Sequence, residues 1–146
     1  MIRVPAAGVL LALFILPATA WPQGTRWQRQ VRAHLDRTLA ALRVGSHESA
    51  QVLKVGPLNS DESDSFVVEL KTGRAYDIVG ACDEDCSDLH LLLSTASGND
   101  MAVDRSSENL PVLRFRPRES GSYRVRVTMA ACRVSPCWFG VAIRGS

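Results

Sequence analysis

A strong excess of either charge is missing from this sequence: 17 Lys and Arg stand against 15 Asp and Glu, a net of +2 over 146 residues. That balance gives no basis for nucleic-acid binding by bulk attraction. Ten Gly and seven Pro are ordinary numbers, so collagen-like and low-complexity classes fall away. The chain has no Gly-x-Ser-x-Gly elbow, no phosphate-cradling glycine loop, no His-x-x-x-His pair and no EF-hand spacing. Strands alternating with helices are also absent, which argues against a nucleotide-binding parallel sheet. What is present is 46% apolar and 22% charged residues, the composition of a folded domain and not of a disordered chain. The length suits one hydrophobic core.

The first twenty residues read as an address. Met1-Ile2-Arg3 is a short basic start, residues 8–16 (GVLLALFIL) are uncharged and apolar, and Ala18-Thr19-Ala20 places small residues where a signal peptidase reads them. Two prolines interrupt residues 4–21, and the stretch falls short of the about 20 continuous apolar residues of a membrane span. Cleavage is expected after Ala20. No Cys follows the cleavage box, so no lipoprotein anchor is indicated, and no later segment is long and apolar enough to span. The expected location is exported, periplasmic or extracellular.

Residues 25–44 read as one amphipathic helix. Trp27, Val31, Leu35, Leu39 and Leu42 recur at spacings of four and three, Thr25 is a candidate N-cap, and Gly45 stands where a C′ glycine belongs. Arg26, Arg29, Arg32, Arg37 and Arg43 fill much of the remaining surface. Such a helix either lies on an anionic membrane or packs its stripe on the following domain; packing is expected. From Ser49 onward the pattern changes to short strands, at 50–55, 65–70, 75–81, 89–94, 101–104, 112–116, 123–129 and 138–143, punctuated by Gly, Pro, Asn and Ser. Alternation is clearest in residues 123–129 and 113–116, each with one buried face and one wet face. The expected fold is all-β: an antiparallel, jelly-roll-like β-sandwich of about eight strands, preceded by one N-terminal amphipathic α-helix. Residues 1–20 form the leader, 21–48 the helix and linker, and 49–146 the sandwich.

The near-neutral total hides a segregated layout. Residues 21–60 carry +4, residues 61–104 carry −9 with eleven acidic groups, and residues 105–146 carry +6 with eight Arg. Four cysteines occur as Cys82-x3-Cys86 and Cys132-x4-Cys137. Four thiols allow three pairings. Zinc sites favour a tighter spacing, and an oxidising compartment disfavours free thiolates. Long-range pairing constrains the unfolded chain more, at about 4 against about 2 kcal/mol, whereas proximity during oxidation favours local pairs. Local pairing is expected.

Asp83, Asp85 and Asp88 crowd the first cysteine pair, and Asp104 ends the following strand. These carboxylates are the candidate calcium ligands, against the plainer reading of a solvated acidic edge. No other cofactor is expected. Arg114 and Arg116 sit on one strand, and Arg124 and Arg126 on the next. If residues 117–122 form a hairpin loop, all four guanidiniums share a face that suits sulfated, phosphorylated or carboxylated polymers. The alternative is a solvated face paired with the acidic block. The three histidines, His34, His47 and His90, fall in a helix, a loop and a strand. No nucleophile pattern accompanies them, so no enzyme is expected.

The run from Val55 to Ile143 resembles the bacterial pre-peptidase C-terminal domain in a cysteine-containing form. The matching residues are Gly56-x-Leu58, Ser65-Phe66, Leu70-x-x-Gly73-x-x-Tyr76-x-Ile78, and Gly80-x-Cys82-Asp83-x-Asp85-Cys86-x-Asp88-Leu89. They continue through Gly98, Asp104, Pro111, Phe115-x-Pro117-x-x-x-Gly121-x-Tyr123-x-Val125-x-Val127, Cys132, Pro136-Cys137 and Gly140-Val141. The likeness covers about two-thirds of the chain. It implies a compact sandwich, usually appended to secreted hydrolases and not itself catalytic; relatives in clostridial collagenases bind collagen and calcium. Where the family often shows Asp-Leu-Asp-Leu, this chain has Asp88-Leu89-His90-Leu91, so His90 replaces a potential calcium carboxylate.

The expected function is a secreted, non-catalytic binding or accessory module. Its expected partner is an anionic polysaccharide, an envelope surface or another exported protein. A purely structural exported domain and, behind it, a small secreted hydrolase are the alternatives. Two disulfides predict an intact mass about 4 Da below that of the fully reduced protein, from the loss of four hydrogens. Peptide mapping checks the pairing, and a link from Cys82 to Cys132 or Cys137 overturns it.

Overall fold

The computed structural model describes residues 24–42 and 49–145. The expected leader, Gly45 and His47 lie outside these residues. Among the described residues one helix, α1 (Gly24–Ala41), precedes eight strands. These are β1 (Gln51–Leu58), β2 (Ser63–Leu70), β3 (Tyr76–Cys82), β4 (Cys86–Thr95), β5 (Asp100–Asp104), β6 (Val112–Phe115), β7 (Gly121–Cys132) and β8 (Cys137–Gly145). Every strand expected from the sequence is present; six run longer than expected, β4 and β7 most of all, while β3 keeps its length and β6 ends one residue earlier.

The strands form two antiparallel four-stranded sheets. One has the order β1-β8-β3-β6 and the other β2-β7-β4-β5, which is jelly-roll connectivity. Only β4 and β5 are consecutive strands that pair with each other. Every other connection carries the chain from one sheet to the other. Alternating side chains from both sheets fill the space between them: Leu89, Leu91 and Leu93 of β4, Val125, Val127 and Met129 of β7, Ile78 of β3 and Phe139 and Val141 of β8. Lys54 Nζ meets Asp64 Oδ2 at 2.6 Å and ties the edge strands β1 and β2 together.

The two disulfides pair locally, Cys82–Cys86 and Cys132–Cys137. Each joins a strand of one sheet to a strand of the other, and both sit at the same end. Cys86 and Cys132 face each other in the β4–β7 register. Asp83, buried in the first of these turns, accepts from the Trp138 amide at 2.7 Å and from the Asp85 amide at 3.2 Å. Its own amide donates to the Trp138 carbonyl at 3.0 Å. The carboxylate therefore holds the β3–β4 turn against β8.

Strands β3 and β8 are buried on both faces, because α1 covers the outer face of their sheet. Val31, Leu35 and Leu39 form the helix stripe and pack on Val79, Ala81 and Ala142. Small outward residues let the helix come close. A Cβ on Gly140 would lie 2.5 Å from Val31 Cγ1 and 3.0 Å from Leu35 Cδ1. Polar contacts fix the helix along its length. Arg26 and Gln30 reach Glu84 at 3.3 and 3.2 Å. His34 Nδ1 donates to the Cys82 carbonyl at 3.0 Å. Arg144, 4% exposed, donates to the carbonyls of Leu39 at 2.8 Å and Leu42 at 2.9 Å. These are carbonyls of the last turn, where partners are lacking and positive charge is favoured. Asp77 balances that buried guanidinium at 3.1 Å. The stripe that an interfacial membrane helix would insert into lipid is thus buried against protein.

Leu35 is fully buried, so its docking contributes about 1.5–3 kcal/mol. Leu35→Asp removes that and buries a charge without a partner. Chemical denaturation of the disulfide-intact protein is expected to show a clearly lower midpoint. A parent-like midpoint would mean that helix docking adds nothing to stability.

Candidate anion-binding face

The four arginines expected to share one face do not. β6 pairs with β3 and β7 pairs with β2 and β4, so residues 116–120 form an arch between sheets and not a hairpin. The physical cause is the core. Phe115 and Tyr123 flank the arch, both point inward, and their rings meet edge-on at 5.4 Å. Pro117 is buried beneath the arch, and Gly121 enters β7 at φ 155°, a conformation that L side chains rarely adopt. Arg114 consequently lies on the helix-side sheet and Arg116 directly after its strand β6, and each has a partner. Arg114 Nε stands 3.3 Å from Asp77 Oδ1, and Arg116 donates to the Gly73 carbonyl at 3.3 Å.

Arg124 and Arg126 project from the outer face of the other sheet. Arg124 lies between Val67 and Ser94 in the register, and Arg126 between Ser65 and Leu92. Neither has a hydrogen bond or ion pair among the described residues, and no described element covers this face. The next row brings Ser63, Thr128 and His90 side by side. Ser63, His90, Leu92, Arg105, Arg126 and Thr128 line a pocket of about 100 Å3. The Ser63 and Thr128 hydroxyls share a hydrogen bond at 2.7 Å. Arg105, like Arg126, has no partner among the described residues. Around the pocket, the exposed apolar side chains Val67, Met101 and Val103 lie on the same strands. Sequence reading missed Arg105, Thr128, Ser63 and the pocket role of His90. Alternation shows that His90 and Thr128 face outward, but only the register makes them neighbours.

These side chains do not form a nucleophile–base pair. His90 Nε2 stands 3.1 Å from Asp88 Oδ1, yet that buried oxygen has no hydrogen-bond partner, so the contact is one of proximity. Among the described residues no hydrogen bond links His90 to the Thr128 or Ser63 hydroxyl. A general base needs that reach to its nucleophile.

The expected calcium ligands also stay apart. Asp83 is consumed by the β3–β4 turn, and Asp85 lies 3.6 Å from Arg133. Asp88 faces His90. Asp104 accepts from the Ser106 amide and hydroxyl at 3.0 and 2.6 Å and from the Val112 amide at 2.9 Å, which links β5 to β6 across the sandwich. Among the described residues, no three His, Cys, Asp or Glu side chains group as metal ligands. The acidic block folds into turns and strand links, which disperses it.

Partial burial by itself raises the Asp104 pKa, but the hydrogen bonds from Ser106 and Val112, with the nearby His90, outweigh it and hold the carboxyl below its ordinary 3.8. The sequence matches no family model, and no curated protein matches it.

A depressed folded-state pKa stabilises the fold above the unfolded value and ceases to do so as pH falls through the folded one. Asp104→Asn is therefore expected to melt below the parent at neutral pH. The gap should close as pH drops well under 3.8. An equal gap at both pH values would show that the charge of Asp104 contributes nothing.

Proposed function

We propose that the chain is an exported, non-catalytic binding module of the pre-peptidase C-terminal type, and that the outer face of the β2-β7-β4-β5 sheet binds an anionic polymer. One observation carries this reading. Among the described residues Arg105, Arg124 and Arg126 have no partner on the broad face that no described element covers, while Arg114, Arg116 and Arg144 are satisfied within the fold. Exposed, unpaired guanidiniums are suited to sulfate, phosphate and carboxylate groups. Two disulfides fit an oxidising compartment, and no described helix is long and apolar enough to cross a membrane. The exposed Val67, Met101 and Val103 beside the arginines support a second reading, an acidic surface of another exported protein.

Retention on a dextran sulfate resin tests the first reading. The parent should bind in low salt and release as salt rises, because screening shortens from about 10 Å at 0.1 M to about 3 Å at 1 M. Arg124→Ser/Arg126→Ser should lose retention, whereas Arg114→Ser/Arg116→Ser should keep it. No retention of the parent, or equal loss in both double variants, would discard this face as the binding surface.

A further inference from the structure

The polar pocket on this face discriminates further than charge alone. We infer that Arg105, Arg126 and the Ser63–Thr128 hydroxyl pair form a seat for a tetrahedral oxyanion, a sulfate or phosphate ester group carried on the polymer. This inference rests on the proposed polymer-binding reading and specifies its chemistry. The pocket volume, about 100 Å3, suits one small group and not a sugar ring stacked on a broad aromatic face; no Phe, Tyr or Trp lines it. Its donors come from different directions. Arg126 and Thr128 rise from β7, Ser63 stands across from Thr128 on β2, and Arg105 follows the end of β5 on the far side of His90.

Donor supply favours the ester over a carboxylate. A planar carboxylate is satisfied by one guanidinium in a two-point contact, which leaves the second guanidinium and the hydroxyls unused. A sulfate or phosphate ester offers three oxygens and can engage both guanidiniums and a hydroxyl together. The hydroxyl pair has a proton to give. One O–H is spent in the 2.7 Å Ser63–Thr128 bond, and the other remains available. Neighbouring carboxylates do not fill the pocket. Asp104 is committed to Ser106 and Val112, and Asp88 lies against His90.

The experiment measures affinity for dextran sulfate and for polygalacturonate, an ester anion polymer and a carboxylate one, on the disulfide-intact exported form. The expected result is a preference of the parent for dextran sulfate. Arg105→Ser and Arg126→Ser should each weaken dextran sulfate binding about tenfold, the loss of one charged hydrogen-bonding group. They should also erase the preference. Ser63→Ala/Thr128→Val keeps every charge and should reduce the preference too. Arg124→Ser, on the same face but outside the pocket, should weaken both polymers alike and leave the preference standing. All these side chains are at the surface, and melting curves matching the parent would confirm folded variants. Equal affinity of the parent for the two polymers, or equal loss of preference in Arg124→Ser, overturns the oxyanion seat while leaving the anionic face intact. Binding to neither polymer overturns the face itself.

Discussion

The docking of α1 on the outer face of β3 and β8 makes the two sides of this sandwich unequal. Gly140, Ala81 and Ala142 lower the surface of that sheet so that Val31 and Leu35 can sit against it. Arg144 then answers the carbonyls of the last helical turn while Asp77 answers Arg144. A buried guanidinium without those partners would be strongly unfavourable, so helix and sheet specify each other. With one outer face covered by α1, the other is the broad face that no described element covers.

The core works on the same logic of two sides. β3 and β8 are apolar on both faces because one faces the helix and the other the sandwich interior. β7 is apolar on one face only, and its other face carries Arg124 and Arg126. The two disulfides and Asp83 close the end at which β3 passes to β4 and β7 to β8. Each of those connections changes sheets, so cross-linking it fixes the spacing of the layers as well as the turn. Local pairing between cysteines four and five residues apart thus has a consequence beyond its short loop.

Charge segregation along the chain becomes pairing within the fold. The acidic middle third supplies Asp77 to Arg114 and Arg144, Asp64 to Lys54, and Glu84 to Arg26. Other carboxylates are taken up by backbone amides, as Asp83 and Asp104 are. After this internal matching Arg105, Arg124 and Arg126, three cations without a partner among the described residues, share one face. Arg29, Arg32 and Arg118 also have no side-chain partner among the described residues, so it is the pocket shared by Arg105 and Arg126 that distinguishes this face.

Local sequence determined the elements: the helix stripe, all eight strands, the inward and outward side of β6 and β7, and the short disulfide loops. Periods of 3.6 and 2 are properties of neighbouring residues and need no knowledge of the rest of the chain. Which strands lie side by side is a different kind of fact. Residues 117–122 are short enough for a hairpin, yet the inward rings of Phe115 and Tyr123 and the φ of Gly121 accompany an arch over residues 116–120. That one crossing keeps Arg114 and the adjoining Arg116 on the helix side of the sandwich and leaves Arg124 and Arg126 on the other sheet. It also brings in Ser63 and Thr128, 65 residues apart, to complete the pocket. Burial preference acts on each residue by itself, whereas strand order is set by how both sheets pack together, so only the tertiary structure could decide it.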